Sequence, residues 1–423
     1  MSQDAQTQEV RVLKLTLHGS RVGYLTGFQN GQNILTFDQA FRDDLQRPTF
    51  SLITHPDFPQ VKKLLAEPWV KRQRLHPVLS NLLPEGALRE LIARGLKEHP
   101  DHEFPLFAYL GADLPGALVA EPIAPDDVPV ELLKAFPHAR PVNITAHDNV
   151  RRFSLAGVQM KFSMKEKGGR YNLATDGELG NWIIKTPSAT HSAVPLNEFT
   201  AMTLANMAGI QIPEIKLVSM DKLDNLPDIK FPDENLAFAI RRFDRDGEKR
   251  IHMEDFAQIL VKYPHEKYAS ANYEQIGKVI YQYSGDGLGD VQEFARRLLV
   301  NILLANGDAH LKNWSLLYPD TVTPVLSPAY DIVTTCVYIE NESSFALNLG
   351  GGKSWRSVRY SNFRRWTEKV GVPWRAIEPH LKVTMEKVRD LWPAALQDLP
   401  MSESHKTVLR KHWAALPEDF RIG

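Results

Sequence analysis

Apolar positions along the chain change period twice. Leu13, Leu15 and Leu17 alternate with polar residues, His18-Gly19-Ser20 supplies a turn, residues 22–25 return, and Asn30-Gly31 precedes a further run at 34–37. A period of two broken by turn dipeptides predicts a small antiparallel meander. Over 78–96 the spacing lengthens: Leu82, Leu83, Leu88, Leu91, Ile92 and Leu96 fall near helical period, with Pro84 near the predicted start. Strands followed by a helix form an α+β module over 8–120. The proline- and acid-rich stretch 120–141 suits neither element and predicts a linker.

Strand patterns resume over 153–164, 181–185, 216–219 and 236–243, interrupted by one helix over 196–207 that Gly209 should stop. After Asp244 the period is helical, over 256–260, 273–283, 291–304 and 374–391. A strand-rich lobe, 142–245, therefore precedes a helix-rich one, 246–423. No repeat at solenoid period and no low-complexity tract interrupts this order.

Composition narrows the classes further. Apolar residues make 43% and charged residues 24%, so a sizeable core forms and disorder is excluded. With 50 Lys plus Arg against 51 Asp plus Glu, any nucleic-acid contact must come from a local patch. The single Cys336 cannot close an internal disulfide or furnish a Cys-rich zinc site, which suits a reducing cytosol. The polar start lacks a signal-peptide pattern, and the most apolar windows are too short or too interrupted to span a bilayer. The expectation is a cytoplasmic protein without membrane attachment.

The chemistry concentrates at Gly307-Asp308-Ala309-His310-Leu311-Lys312-Asn313, between an apolar helix and a short apolar run. An Asp followed five positions later by an Asn lets one loop supply a base for an acceptor hydroxyl and a ligand for Mg²⁺, as in phosphoryl transfer. Asp331, in Pro328-Ala-Tyr-Asp331, suits a second metal ligand. Lys185 ends an apolar strand, where a lone ammonium is costly and needs an anion; Glu198, early in the next helix, is the candidate partner. Taken singly, Lys185 could end an edge strand, and Glu198 or Asp331 could cap a helix. Together Lys185, Glu198, Asp308, Asn313 and Asp331 stand in the chain order of a protein-kinase site.

With Ser154-Leu-Ala-Gly-Val-Gln-Met-Lys161, Ile184-Lys185, Asn197-Glu198, Arg242-Phe-Asp-Arg245, Glu254-Asp-Phe256, Gly307–Asn313 and Pro328–Asp331, the chain resembles the HipA family of bacterial serine/threonine kinases, the toxins of type II toxin–antitoxin pairs. Asn81-Leu-Leu-Pro-Glu-Gly86 and Leu114-Pro-Gly-Ala117 extend the likeness over nearly the whole chain. The resemblance implies a two-lobed protein-kinase-like fold behind the N-terminal module, with ATP and Mg²⁺ as cofactors. It implies Asp308 as catalytic base, Asn313 and Asp331 as metal ligands, and Lys185 on the phosphates oriented by Glu198. Ala156, Gly157, Val158, Gln159, Met160 and Lys161 would cover the nucleotide, Arg241, Arg242 and Phe243 would form the hinge beside the adenine, and His310 and Lys312 would contact ATP from the catalytic loop. On its chemistry alone, His310 reads as a structural hydrogen-bonding group. Ser154 matches the family's autophosphorylated serine, a switch that adds negative charge beside a triphosphate site. Met160 and Arg241 depart from the family's habit of acidic residues there.

Lys353, Arg356, Arg359, Arg364 and Arg365 interleave with Trp355, Tyr360, Phe363 and Trp366 without an acid between them. The mixture predicts either phosphate contact with base stacking or a solvated helix face over core aromatics. The resemblance implies a HipB-like DNA-binding antitoxin and operator DNA as partners, and an aminoacyl-tRNA synthetase as protein substrate. A corepressor that keeps the kinase frame without kinase activity is the alternative, and a small-molecule or lipid acceptor stays open. No paired-histidine metal motif or hydrolase triad order is present, and Glu254-Asp255 is expected to serve a helix start.

Overall fold

The structure is a computed structural model describing residues 6–10, 12–129, 132, 142–146, 160–173, 178–226, 230–268 and 271–423. The chain opens with β1 (Gln6–Val10), then the expected meander β2 (Val12–Leu17), β3 (Ser20–Gly27) and β4 (Gln32–Phe37). His18 and Gly19 both take positive φ (50° and 79°), the primed-turn geometry that matches strand twist in a two-residue hairpin. Strands β5 (Trp69–Arg72) and β6 (Leu118–Pro122) complete a five-stranded antiparallel sheet in the order β5-β4-β3-β2-β6. Leu13, Leu15 and Leu17 lie fully buried on its inner face. The expected linker therefore starts later than residue 120: β6 runs through Pro122 and pairs along β2. Strand β7 (Val142–Ala146) pairs with β1, tying the linker's far end back to the chain start.

The single helix expected over 78–96 is two: α1 (Pro77–Ser80) and α2 (Gly86–Gly95). Pro84 disfavours helical backbone at Leu83, so the chain leaves the helix across Asn81–Glu85. This interruption becomes part of the site. Helix α3 (Glu103–Leu110) closes the module's core.

Six strands form the second sheet, in the order β11-β13-β10-β8-β9-β12. They are β8 (Lys161–Lys167), β9 (Arg170–Leu173), β10 (Trp182–Lys185), β11 (Ile215–Ser219), β12 (Leu223–Asp224) and β13 (Leu236–Arg241). Gly168 and Gly169 make the β8–β9 turn. Between β10 and β11 runs α4 (Val194–Met207), which ends before Gly209 at φ 87° as expected.

The third region begins with a hairpin, β14 (Arg245–Asp246) and β15 (Lys249–Arg250), followed by β16 (His252–Asp255) and α5 (Phe256–Ile259). Helices α6 (Tyr273–Tyr283) and α7 (Gly287–Leu303) lead into the loop Gly307–Asn313, β17 (Ser315–Tyr318) and β18 (Val325–Leu326). A second hairpin, β19 (Ser344–Leu349) and β20 (Gly352–Ser354), precedes α8 (Tyr360–Val370), α9 (Trp374–Asp398) and α10 (Glu403–Ala415). One apolar core runs through these helices, with Trp366, Trp392 and Trp413 inside it. Among the described residues no helix is long and apolar enough to cross a membrane.

The N-terminal module is bolted to both lobes. Leu52 enters the helical lobe's core and Leu91 of α2 the core under the second sheet. Glu254, fully buried, accepts from Ser51 Oγ (2.8 Å), Leu52 N (2.6 Å) and the Tyr318 hydroxyl. Asp244 accepts from Gly116 N (2.9 Å) and from both Arg242 and Arg245. Gly116 is required there: at φ 75°, a Cβ would stand 2.9 Å from the Met253 amide nitrogen.

Candidate functional site

Lys185 is the last residue of β10, the strand hydrogen-bonded on both sides, opposite Lys161 on β8 and Phe238 on β13. Its ammonium is buried and donates to Glu198 Oε1 (2.5 Å) and to Asp331. Burial alone would lower the Lys185 pKa; Asp331 and Glu198 outweigh it and raise it, so the charge is retained. One ammonium serves two carboxylates, Glu198 fully buried and Asp331 partly so. Burial pushes Asp331 up, but Lys185 and Lys161 hold it well below the ordinary range. Burial pushes Glu198 up to about 7, with Lys185 pulling against it. Glu198 Oε2 is buried without a hydrogen bond among the described residues.

Helix α4 delivers Glu198, and its neighbour Asn197 fixes what that helix faces. The Asn197 amide donates to Thr334 O and accepts from Thr334 N, both at 3.0 Å, gripping the segment just beyond Asp331. Asp331 itself takes φ 54°, left-handed backbone that a non-glycine residue adopts at a cost of roughly 1–3 kcal/mol and that clusters at functional sites.

The loop Gly307–Asn313, expected to be catalytic, follows α7. At Gly307 a Cβ would meet the Glu342 carboxylate, so any larger residue there would have to displace that side chain. Asn306, buried, accepts from Asp308 N (3.0 Å) and donates to Asp331 O (3.4 Å), so one amide joins the two acidic loops. Asn313 Nδ2 donates to Asp308 O (2.8 Å), which leaves Oδ1 as the amide atom for a hard cation. His310 Nε2 lies 3.9 Å from Asp308 Oδ1, and its pKa is lowered, by burial first, with Asp308 opposing. The Tyr268 hydroxyl donates to Asp308 Oδ1. Asn306 and Tyr268 were not singled out by sequence, and Asn197 entered only as the neighbour of Glu198 in a family motif; Asn306 directly precedes Gly307-Asp308.

Some expected contacts are redirected. The Lys312 ammonium donates to Asn81 O (2.8 Å) and Oδ1 (3.1 Å) and pairs with Glu85 and Asp255. It fastens the N-terminal module to the Gly307–Asn313 loop. The Arg242 guanidinium is buried on Asp244, Ser163 and Asp113, so its side chain cannot line an adenine pocket. Arg241 is exposed at the end of β13 with Glu214, whereas Phe243 lies 5.4 Å from the ring of Tyr330, beside Asp331. Met160 is buried in the core under the second sheet. Ser154, Ala156, Gly157, Val158 and Gln159 lie outside the described residues. In the basic segment, Trp355, Phe363 and Trp366 are core residues, which removes base stacking by them; Arg356, Arg359, Arg364 and Arg365 remain exposed. Asp255 caps α5 as expected.

Among the described residues no three acidic, His or Cys side chains gather as a protein-only metal cage. Asp331 and the Asn313 amide oxygen are nonetheless the hard oxygen donors that Mg²⁺ takes in ones and twos, completed by water and phosphate. The donor set fits that ion.

The HipA-like C-terminal domain family matches residues 153–392, more than half the chain, and the HipA N-terminal domain family matches residues 13–121. The chain belongs to the HipA family. Y4dM of Sinorhizobium fredii, named as a kinase, is 40% identical to this HipA-family chain over 407 residues, covering 96% of this chain and 97% of that protein. The serine/threonine-protein kinase toxin HipA of Shewanella oneidensis is 24% identical over 325 residues, 70% of this chain and 71% of that one. HipA solved with HipB and operator DNA from Shewanella oneidensis superposes with a TM-score of 0.70 at 19% identity, covering 95% and 94% of the two chains. The mixed α/β architecture described above is thus that of a HipA-family kinase.

Proposed function

We propose that this HipA-family protein is an ATP- and Mg²⁺-dependent serine/threonine protein kinase acting as the toxin of a HipA/HipB-like pair. One observation carries the reading: Lys185 bridges Glu198 to Asp331, and the Asn306 amide ties the Asp331 carbonyl to the start of the loop that presents Asp308 and Asn313. Bound Mg²⁺ supplies charge neutralisation on the phosphates. Asp331 and Asn313 would hold it, and Lys185, freed from Asp331 but kept by Glu198, would grip phosphate oxygens. Asp308 accepts the proton of the acceptor hydroxyl as its oxygen bonds to the γ-phosphorus and the bridging oxygen leaves with ADP. Such a base contributes about 10²–10⁴-fold. Ser154 is the proposed autophosphorylation site and an aminoacyl-tRNA synthetase the proposed substrate, the latter resting on family membership.

The proposed partners are a HipB-like antitoxin and its operator DNA, and Arg356, Arg359, Arg364 and Arg365 are the exposed charges suited to its backbone. Incubation with γ-labelled ATP and Mg²⁺ tests the enzyme: label is expected on Ser154 and on a protein of a bacterial extract, and Asp308→Asn should lower both at least about 100-fold. Retained ATP binding without any label would sink the kinase reading and leave a nucleotide-binding corepressor.

A further inference from the structure

Asp308 is half exposed, and among the described residues one side chain hydrogen-bonds its carboxylate: the phenol of Tyr268, on Oδ1. A catalytic base needs that lone pair for the acceptor hydroxyl. We propose, building on the kinase reading above, that the Tyr268 hydroxyl occupies the acceptor's place and latches the base until a serine or threonine displaces it.

The surroundings suit a latch and not a buried structural tyrosine. The ring is 47% exposed, so it can leave without opening a core. Its edge meets His310 at 5.0 Å between ring centres, and the Lys267 ammonium stands 5.6 Å over its face. Lys267 in turn pairs with Glu85 (2.9 Å), which also reaches Lys312 of the catalytic loop (3.4 Å). The interruption between α1 and α2 thus holds the latch and its target to one carboxylate. Burial, and then the bond to Asp308, raise the Tyr268 pKa, keeping the phenol a proton donor. While it is bound, Oδ1 is denied to water, which would slow ATP hydrolysis through that oxygen.

The test is release of inorganic phosphate from Mg-ATP in the absence of any protein acceptor. Tyr268→Phe keeps the ring and removes the donor, and it should raise the rate about ten- to a hundredfold, the span set by removing one hydrogen bond to a charged group. Glu85→Gln should give a smaller rise of the same sign. The gain should vanish in Tyr268→Phe combined with Asp308→Asn, and nucleotide affinity should hold within about twofold. A rate unchanged or lowered in Tyr268→Phe, with ATP still bound, would overturn the latch while leaving the kinase reading intact. Failure of the natural chain to bind ATP would overturn both.

Discussion

Two seams meet at the Gly307–Asn313 loop, and they are built from different chemistry. The seam between the second sheet and the helical lobe is a triad of charges, Glu198, Lys185 and Asp331, in which one ammonium serves two carboxylates and an oxygen of Glu198 is left unbonded among the described residues. In the seam with the N-terminal module each anion has several donors: Asp244 has two arginines and a backbone amide, and Glu254 a hydroxyl, an amide and a phenol, while Lys312 bonds Asn81. Under-satisfied ion clusters are poised to take a ligand, whereas anions with several donors fix geometry. The first seam should therefore respond to substitution mainly in rate, and the second in stability.

The largest effect should come from Lys185→Met, which removes the shared ammonium. Phosphotransfer should drop about 10²–10⁴-fold, while the urea midpoint moves little because Glu198, already near 7, can protonate. A large loss of stability with rate retained would invert the comparison. Next, Asp244→Asn strips the anion from two buried guanidinium groups and should cost about 3–5 kcal/mol in urea unfolding, with activity per folded molecule kept.

Glu254→Gln sharpens the contrast through pH. Burial, despite its three donors, pushes the Glu254 pKa up to about 7, above the unfolded value of 4.5. The folded state then holds a proton that the unfolded state has shed. That stability is full below about pH 4.5 and is lost as pH rises through 7. The natural chain should lose about 2–3 kcal/mol relative to Glu254→Gln between pH 5 and pH 8, a slope the amide lacks. His252, lowered to about 4 chiefly by burial, acts in the opposite sense below its ordinary 6.5, which is why the difference between the two proteins is the measurement. The smallest effect belongs to Asn81→Ala, about 1–2 kcal/mol of stability for an amide that bonds Pro77 O and Lys262 O and receives Lys312.

The uneven legibility of the sequence follows the same division. Strand and helix periods placed β2–β4, β10, α4 and α6 because each buries one face, and the costly charge at the end of β10 announced its need for Glu198. The partners of Lys312 and Arg242 were not legible because spacing along a loop says which side chains are near a site but not which way a tertiary partner turns them. Trp355, Phe363 and Trp366 were compatible with stacking until the fold closed over them. Asn197, Asn306 and Tyr268 carry no charge or period that marks them, and their roles exist only once distant loops are brought together.

Leu91 deserves to be followed one step further. It belongs to α2 of the N-terminal module, yet its side chain lies in the core beneath the sheet that carries Lys185. Leu52 of the same module lies in the core of the helical lobe. The module is thus a strut with a foot in each lobe, and any relative movement of the two lobes must work against it.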